Sequence, residues 1–215
     1  MYRSLLDAIS GGSLTPGQRL TQEDIAQQLA VSRQPVLQAL RLLKKDGFVQ
    51  DAPGRGLQVA PLDPAAIHDI YEVRGALDAL AARLAARRRL RIAPALLAAG
   101  RATAKGGDVM AMIDADLAFH RALYDGAGNA LIGQSALLHW RHLRRVMGAV
   151  LQEMGQRQAV WDEHEAIAGA IAAGDADRAA HLVEEHSLQA GRTLAERLDA
   201  VLRSSATTKD PRRPT

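Results

Sequence analysis

The chain has 215 residues, a formal net charge of +3 and no cysteine, which excludes disulfide bonds, thiolate metal sites and a cysteine nucleophile. Hydrophobic residues make up 47% of the chain but aromatic residues only 3%, so the core must consist of Leu, Ala, Ile and Val. Because alanine and leucine favour helices, the sequence predicts a mainly α-helical protein of one large or two small domains. We see no secretory signal and no apolar run of the roughly 18 residues that a membrane helix needs. We therefore expect a cytoplasmic protein without membrane contact.

Residues 1–60 predict three short helices followed by a β-hairpin. The second helix begins at Thr21, whose hydroxyl can cap it, and the third begins at Ser32, another good cap. The alternating segments 48–50 and 57–60 predict two short strands around a Pro-Gly-Arg-Gly tip. Two short helices joined by a tight turn are typical of a helix-turn-helix, and the hairpin makes it a winged helix-turn-helix.

The third helix and the hairpin tip carry side chains that suit contacts with DNA. Arg33 and Gln34 lie at the N-terminal end of the third helix, where arginine can pair with guanine and glutamine with adenine. Arg55 at the glycine-flanked tip is placed for a phosphate or minor-groove contact. The alternative for each basic residue is an ordinary solvated surface charge, and this alternative has most weight for Lys44 and Lys45. The predicted DNA-binding residues are Arg33, Gln34, Arg41, Lys44, Lys45, Arg55 and Gly56.

Residues 61–64 form a short linker, in which Asp63 can cap a helix and Pro64 suits its first turn. The pattern over 65–203 is helical throughout and predicts an antiparallel bundle of six helices, a fold whose interior commonly holds metal and ligand sites. The polar segment 204–215 contains two prolines, and we expect a disordered tail there. The expected helices run over about 64–88, 92–105, 108–128, 129–154, 157–173 and 176–203.

Asp116 and His120 lie four residues apart and so share one face of their predicted helix. The surrounding residues are apolar or small, so this carboxylate and imidazole would be buried, which is costly unless they are paired. With His164 and His186 from later helices they offer one carboxylate and three imidazoles, a set that suits zinc and also nickel, iron or manganese. The alternative is that they are ordinary core or surface histidines. We expect the other histidines to lie on the surface or to pack against neighbouring side chains: His68, His139, His142 and His181. Of these, His139 and His142 could also line a pocket.

The first sixty residues resemble the GntR family of bacterial transcription regulators. The resemblance rests on motifs in family order: Pro16-Gly17, Val31-Ser32-Arg33-x-Pro35-Val36, Asp46-Gly47-Phe48-Val49 and Gly54-Arg55-Gly56. The family commonly has Arg-Glu after Pro-Val, where this chain has Leu37-Gln38. A basic residue that is often used against DNA is therefore missing, which bears on the operator half-site.

The helical part resembles the FadR C-terminal-type (FCD) ligand domain of that family. Four motifs in family order carry this resemblance: Tyr71–Asp78, Asp116-x-x-x-His120 with Ala127-Gly128-Asn129, Glu163-His164-x-x-Ile167, and Gly174-Asp175 with Ala179-Ala180 and His186. Six helices rather than seven indicate the shorter, metal-containing, VanR-like branch. The resemblance assigns the metal ligands as Asp116, His120, His164 and His186.

The resemblance also implies a small carboxylate effector, which binds beside the metal. It puts Arg74 near the ligand cavity, where a guanidinium suits a carboxylate. The alternative for Arg74 is a salt bridge to Glu72 or Asp78. Arg141 and Arg145, one turn apart on the fourth bundle helix, are further candidates for effector binding, and at most one of them should face the pocket.

The sequence therefore predicts a ligand-responsive transcription regulator, a repressor by the common family arrangement, and not an enzyme. Its expected partners are a double-stranded DNA operator, a small organic acid and a second copy of the chain in a homodimer. Two alternatives use the same Asp/His site: a metal-dependent enzyme that activates water, and a sensor for which the metal ion itself is the signal.

Overall fold

The computed structural model describes residues 1–151 and 158–208, which form a small N-terminal domain followed by a bundle of helices. The N-terminal domain consists of α1 (Tyr2–Ser10), β1 (Arg19–Leu20), α2 (Gln22–Gln28), α3 (Arg33–Lys45), β2 (Val49–Asp51) and β3 (Leu57–Val59). The bundle consists of α4 (Pro64–Arg87), α5 (Pro94–Lys105), α6 (Val109–Ala127), α7 (Ala130–Val150), α8 (Gln158–Ala173) and α9 (Ala176–Thr208).

The N-terminal domain is the winged helix-turn-helix that the sequence predicted. The hydroxyl of Thr21 accepts a hydrogen bond from the backbone N–H of Asp24 at 3.1 Å, which caps α2. Ala30, with a φ of 51°, makes the tight turn between α2 and α3. The core of this domain includes Val36, Leu40 and Leu43 from the apolar face of α3, together with Phe48, the residue before β2.

The three strands form an antiparallel sheet in the order β1-β3-β2. Strand β3 lies in the middle, with Gln58 opposite Arg19 on one side and opposite Gln50 on the other. Strand β1 was not expected from the sequence, because two residues are too few to show an alternating pattern. Its pairing ties the loop before α2 to the wing.

The mainly α-helical bundle is also confirmed, and its helices begin where the capping residues predicted. Asp63, Asp108 and Asn129 each accept a backbone N–H from the first turn of the helix that follows. Helix α4 packs along α9, and α6, α7 and α8 complete the core around them. This arrangement directs side chains from several helices towards one central region.

Two helix ends differ from the prediction. Helix α7 ends at Val150, while the predicted end near Met154 lies outside the described residues. Helix α9 continues to Thr208, so the prediction of a disordered tail is wrong for 204–208. The helix can continue because the first proline of the tail comes only at position 211. The rest of the predicted tail, 209–215, lies outside the described residues. Among the described helices, none is both long and apolar enough to cross a membrane.

Candidate metal centre and DNA-binding surface

Four residues that the sequence predicted as metal ligands come together at the centre of the bundle. Asp116 and His120 come from α6, His164 from α8 and His186 from α9. Each offers one ligand atom, and these atoms all lie within 4.8 Å of one another. His120 and His164 are completely buried, and His186 is nearly so. The structure therefore brings the predicted set together, while metal binding itself stays a prediction.

The hydrogen bonding of the cluster is incomplete in a way that fits a cation. Both ring nitrogens of His164 and Oδ1 of Asp116 are buried without a hydrogen-bond partner among the described residues. The Nε2 atom of His164 lies 3.4 Å from Oδ1 of Asp116. Buried polar atoms without partners are costly, and a metal ion bound between Asp116 and His164 would satisfy the carboxylate oxygen and one of the two ring nitrogens. The donor set and the unpartnered atoms therefore fit a divalent metal.

The protonation of the histidines also fits. Burial lowers the pKa of His164 well below its usual range, and the neighbouring His186 and His120 lower it further. Burial and the Arg74 guanidinium likewise lower the pKa of His120. Both rings are therefore neutral at pH 7, which is the form that binds a metal.

Carboxylates lie beside two histidine rings of the cluster, and one of them, Glu163, forms a hydrogen bond with its histidine. The Nδ1 atom of His186 lies 2.7 Å from Oε2 of Glu163, and Nδ1 of His120 lies 3.3 Å from Oδ2 of Asp78. A histidine that donates its Nδ1 proton to a carboxylate keeps the Nε2 lone pair for a metal, the usual arrangement around bound ions. The contact of Glu163 with His186 was not predicted from the sequence, although Glu163 directly precedes His164 in one of the four FCD motifs.

Arg74 is almost completely buried next to the cluster. Its Nε lies 3.1 Å from Oδ2 of Asp78, its Nη2 lies 2.9 Å from Nε2 of His120, and its guanidinium lies over the Trp140 ring at 4.1 Å. Burial disfavours both charges, but the ion pair outweighs it: the pKa of Arg74 is raised and that of Asp78 is lowered. The salt bridge to Asp78 is thus present, and Arg74 also lines the cavity described next. The lone pair on His120 Nε2 cannot serve Arg74 and a metal at the same time.

A cavity of about 250 Å³ opens beside the cluster. Asp116, His186, Arg74 and Glu163 line its polar end. Apolar side chains from four helices and the end of α7 line much of the rest: Tyr71, Met112, Met147, Leu151, Trp161 and Leu194. A mostly apolar pocket with a few converging polar groups is typical of a small-molecule site.

The residues predicted to contact DNA all lie exposed on the N-terminal domain. Gln34, Gln38, Arg41 and Lys45 follow one another by three or four residues and form a polar face of α3. Lys44 makes an exposed ion pair with Asp51 at 2.7 Å, which agrees with the alternative of a surface charge for this lysine. Arg33, at the start of α3, makes an exposed ion pair with Glu23 in α2. Most of these side chains are therefore free to approach a DNA groove.

Arg55 and Gly56 lie at the tip of the wing, as predicted. Gly54 and Gly56 have φ values of 89° and 100°, a left-handed conformation that side chains other than glycine rarely adopt. Arg19 donates hydrogen bonds to the carbonyl oxygens of Pro53 at 2.7 Å and Arg55 at 3.0 Å. Arg19 thus holds the tip in place, a role that the sequence did not indicate because β1 was not predicted.

Comparisons with known proteins agree with this architecture. Residues 1–59 match bacterial regulatory proteins of the gntR family, and residues 69–190 match the FCD domain. The chain belongs to the GntR family of transcription regulators. Its helical bundle is an FCD domain.

Relatives of this GntR protein are regulators too. It is 30% identical over 185 residues to a "probable D-xylose utilization operon transcriptional repressor" of Paenarthrobacter nicotinovorans. The matched region covers 83% of this chain and 80% of that protein. It is 41% identical over 85 residues to an uncharacterised HTH-type transcriptional regulator of Agrobacterium vitis, but that match spans 39% of this chain and only half of the relative. The structure of E. coli McbR/YncC shares the fold, with a TM-score of 0.74 at 21% identity over 91% of this chain and 95% of that one. The family consists of transcription regulators, not enzymes.

Arg141 and Arg145, two of the three predicted effector-binding residues, do not line the cavity of this GntR protein, and that prediction is wrong for both. Arg141 is exposed close to Tyr2 of the DNA-binding domain. Arg145 is buried and donates a hydrogen bond to the carbonyl oxygen of Ala60 at 2.5 Å. The reason is helical geometry: Met147, which does line the cavity, lies two residues after Arg145 and so about 200° around the helix.

Helix α7 instead joins the two domains of the regulator. The ring of His142 stacks on that of Phe48 with centroids 4.0 Å apart, and its Nε2 lies 3.0 Å from the carbonyl oxygen of Asp46. Leu138, one turn earlier, packs against the core of the N-terminal domain. The prediction that His142 packs is confirmed, while the suggestion that it lines the pocket is wrong. One helix therefore contacts both the cavity and the DNA-binding domain.

We expect the stabilising contribution of His142 to depend on pH. Burial, with smaller effects from Arg145 and His139, lowers its pKa to about 4, despite the hydrogen bond to Asp46, which acts in the opposite direction. Because the folded protein holds the ring neutral, the contribution is complete above the ordinary pKa of 6.5 and is lost as the pH falls from there towards about 4. The change His142→Phe keeps a ring on Phe48 but removes this titration.

The difference in thermal unfolding temperature between the wild type and His142→Phe, measured at several pH values from 7 to 5, checks this expectation. The wild type should lose more stability than the variant over that interval. Equal losses in the two proteins would show that His142 does not titrate at this interface.

Proposed function

We propose that this GntR protein is a ligand-responsive repressor whose FCD domain binds a divalent metal and a small organic acid. Asp116, His120, His164 and His186 would hold the metal, and His120 would give up its Nε2 contact with Arg74 to do so. The observation that carries the proposal is the cluster itself: four donors from three helices, the three histidines buried, incompletely hydrogen-bonded and open to a cavity. When bound, the metal would supply a positive charge and a vacant coordination position at the end of that cavity.

Three imidazoles and one carboxylate favour zinc, and they also suit nickel, iron or manganese. The chain has no thiolate that would select zinc. Chelation therefore tests the metal site in general, and elemental analysis of the purified protein tests which metal occupies it.

A carboxylate is the effector class that a bound metal and Arg74 would favour together, since the metal would offset the negative charges of Asp116 and Glu163 at the same end of the cavity. Arg74 lines the cavity next to the donor cluster and carries a positive charge stabilised by Asp78. A bound metal adds to that charge. A small organic acid would thus meet cationic groups at the cluster end and apolar side chains such as Met112 and Trp161 along the walls.

The path from effector to DNA would run through α7. Met147 and Leu151, at its end, line the cavity, whereas His142 and Arg145 hold the DNA-binding domain. A ligand that moves the end of α7 would change the position or mobility of that domain. Allosteric couplings of this kind are typically about 1–3 kcal/mol, which corresponds to a change in operator affinity of about 5–150-fold.

We propose that the effector releases the DNA, as expected for a repressor. The relative from Paenarthrobacter nicotinovorans is named a repressor. A gel-shift assay on DNA fragments selected from a random pool by the protein tests the proposal. Two results together support the proposal: an acid from a library of carboxylic acids weakens specific DNA binding, and the same acid has no effect once the metal is chelated.

Other results, from this assay and from an esterase assay, would point elsewhere. Failure to bind DNA at any salt concentration would contradict the proposal. DNA affinity that follows the metal concentration, with no acid present, would indicate a direct metal sensor. Hydrolysis of a test ester that stops on chelation would indicate an enzyme.

We propose further that the regulator is a homodimer that uses the exposed side of α4. Val73 and Leu80 are 51% and 41% exposed there, and Ile70, Leu77 and Leu84 beside them are only partly buried. These five apolar residues alternate by three and four positions, the spacing of a coiled-coil seam. A two-fold axis at this stripe would pair it with its own copy and would match two DNA half-sites.

We expect the double change Val73→Asp and Leu80→Asp to convert the dimer into a monomer, because it places charges in the centre of the interface. Light scattering after gel filtration measures the mass. Leu131→Asp is the control, since Leu131 is 68% exposed on another helix. A monomeric wild type, or a dimer that survives the double change, would contradict this interface.

A further inference from the structure

A row of polar side chains leads away from the donor cluster along α9. His186, Gln189, Thr193 and Arg197 all line the cavity and follow one another by three or four residues, so they share one face of the helix. The α-carbons of His186 and Arg197 are about 16 Å apart along the helix axis, at 1.5 Å per residue. Arg197 thus marks the end of the cavity opposite to the metal ligands.

Arg197 is half-buried and has no ion pair or hydrogen bond to the part of the chain that the structure describes. In this it differs from the other cavity arginine, Arg74, which is paired with Asp78. Thr193, one turn before Arg197, accepts a hydrogen bond from Nε2 of Gln189 at 3.4 Å, which leaves the hydroxyl proton of Thr193 free to donate. Arg197 and Thr193 together offer donors to an anion at this end.

Apart from Gln189 and Thr193, the stretch between the two ends is lined by apolar side chains. Ala190 and Leu194 on the same helix, and Met147, Leu151 and Trp161 from the opposite walls, line the cavity there. A single carboxylate cannot reach both the donor cluster and Arg197. A monocarboxylic acid bound at the cluster would therefore leave the Arg197 guanidinium unpaired.

We propose that Arg197 is a second anion anchor, so that the effector is a short-chain acid with two anionic ends, such as a dicarboxylate. One carboxylate binds at the cluster and Arg74, the hydrocarbon chain lies against Leu194 and Trp161, and the second carboxylate pairs with Arg197. The cavity volume of about 250 Å³ restricts the acid to a small one. This inference rests on the proposed function, since the first carboxylate uses the proposed metal site.

Calorimetric titration of the metal-loaded full-length protein with matched acids tests the inference. The dicarboxylates succinate, glutarate, adipate and pimelate are compared with monocarboxylates of the same numbers of carbons. At least one dicarboxylate should bind about tenfold or more tightly than its matched monocarboxylate, since a hydrogen-bonded pair with a charged group is worth at least that factor.

The variant Arg197→Gln should remove this preference: it weakens binding of the dicarboxylate by about tenfold and leaves binding of the monocarboxylate unchanged. Arg192→Gln, an exposed arginine on the same helix that does not line the cavity, is the matched control and should keep the preference. Unchanged monocarboxylate binding also shows that the variant is folded and holds its metal.

Two results would overturn the inference, and they are distinguishable. Equal affinities for matched acids, unaffected by Arg197→Gln, would remove the second anchor but leave the proposed carboxylate site intact. Binding of none of the acids to the metal-loaded protein would overturn the carboxylate site and the second anchor together.

Discussion

The variant His164→Ala should lose its metal and unfold at a temperature lower by on the order of 10 °C. A ligand present at a thousand times its dissociation constant stabilises the folded state by about 4 kcal/mol, and each kcal/mol shifts the midpoint of a protein of this size by about 2–4 °C. His164 is central to the site: its ring stacks on Phe119 with centroids 4.0 Å apart and lies 4.8 Å from the ring of His186. Thermal unfolding followed by circular dichroism measures the shift.

The same measurement with a chelator separates loss of the metal from loss of packing. Chelation should lower the unfolding temperature of the wild type but not that of His164→Ala. His181→Ala changes an exposed histidine on α9 that lies beside Glu185, and this variant should behave as the wild type does. A wild-type unfolding temperature that does not respond to chelation would count against a metal that stabilises this domain.

The variant Arg33→Ala should bind its operator about 5–150-fold more weakly for each half-site contact that is lost, because a bidentate contact from arginine to guanine is worth about 1–3 kcal/mol. Arg33 lies exposed at the first position of α3, where a side chain reaches base edges when the helix enters the major groove. Its ion pair with Glu23 is exposed, so little energy opposes its release to DNA. Fluorescence anisotropy with a labelled operator measures the affinity.

Two further variants make the Arg33 result specific. Arg178→Ala removes the same charge from an exposed position of the FCD domain and should leave DNA affinity nearly unchanged. Lys45→Ala should weaken binding to all sequences alike and reduce the salt dependence, as expected for a phosphate contact. If Arg33→Ala and Arg178→Ala had the same small effect, the assignment of α3 as the recognition helix would be wrong.

Much of the fold could be predicted because its signals are local. Capping residues such as Thr21, Asp63 and Asn129 marked helix starts, and apolar residues at helical spacing marked the buried faces. Strand β1 has only two residues and gave no pattern. The end of α9 was placed too early because the polar composition after Arg203 says little about where a helix stops.

The candidate site was predictable in part. Helical spacing links Asp116 and His120, whereas His164 and His186 come from other helices, and it was the resemblance to a family that assigned all four as metal ligands. Arg74 was predicted to lie near the ligand cavity, and it does line the cavity. The alternative, a salt bridge to Asp78, is present as well.

The errors share a cause. Whether an arginine of α7 faces the cavity or the DNA-binding domain depends on how that helix is rotated in the bundle. The spacing of residues along the sequence does not determine this rotation. In the structure, Arg145 faces away from the cavity and donates a hydrogen bond to the carbonyl oxygen of Ala60. The position of Arg197 at the cavity and the contact of Glu163 with His186 were missed because both depend on how α8 and α9 pack around the cavity.

The metal content of the purified protein tests the central claim most directly. Elemental analysis of the wild type, after dialysis against metal-free buffer, should find close to one divalent ion per chain, and His164→Ala prepared in the same way should retain almost none. A wild type without metal after incubation with zinc, nickel, iron and manganese, or a variant with unchanged metal content, would contradict the assignment of Asp116, His120, His164 and His186 as a metal site.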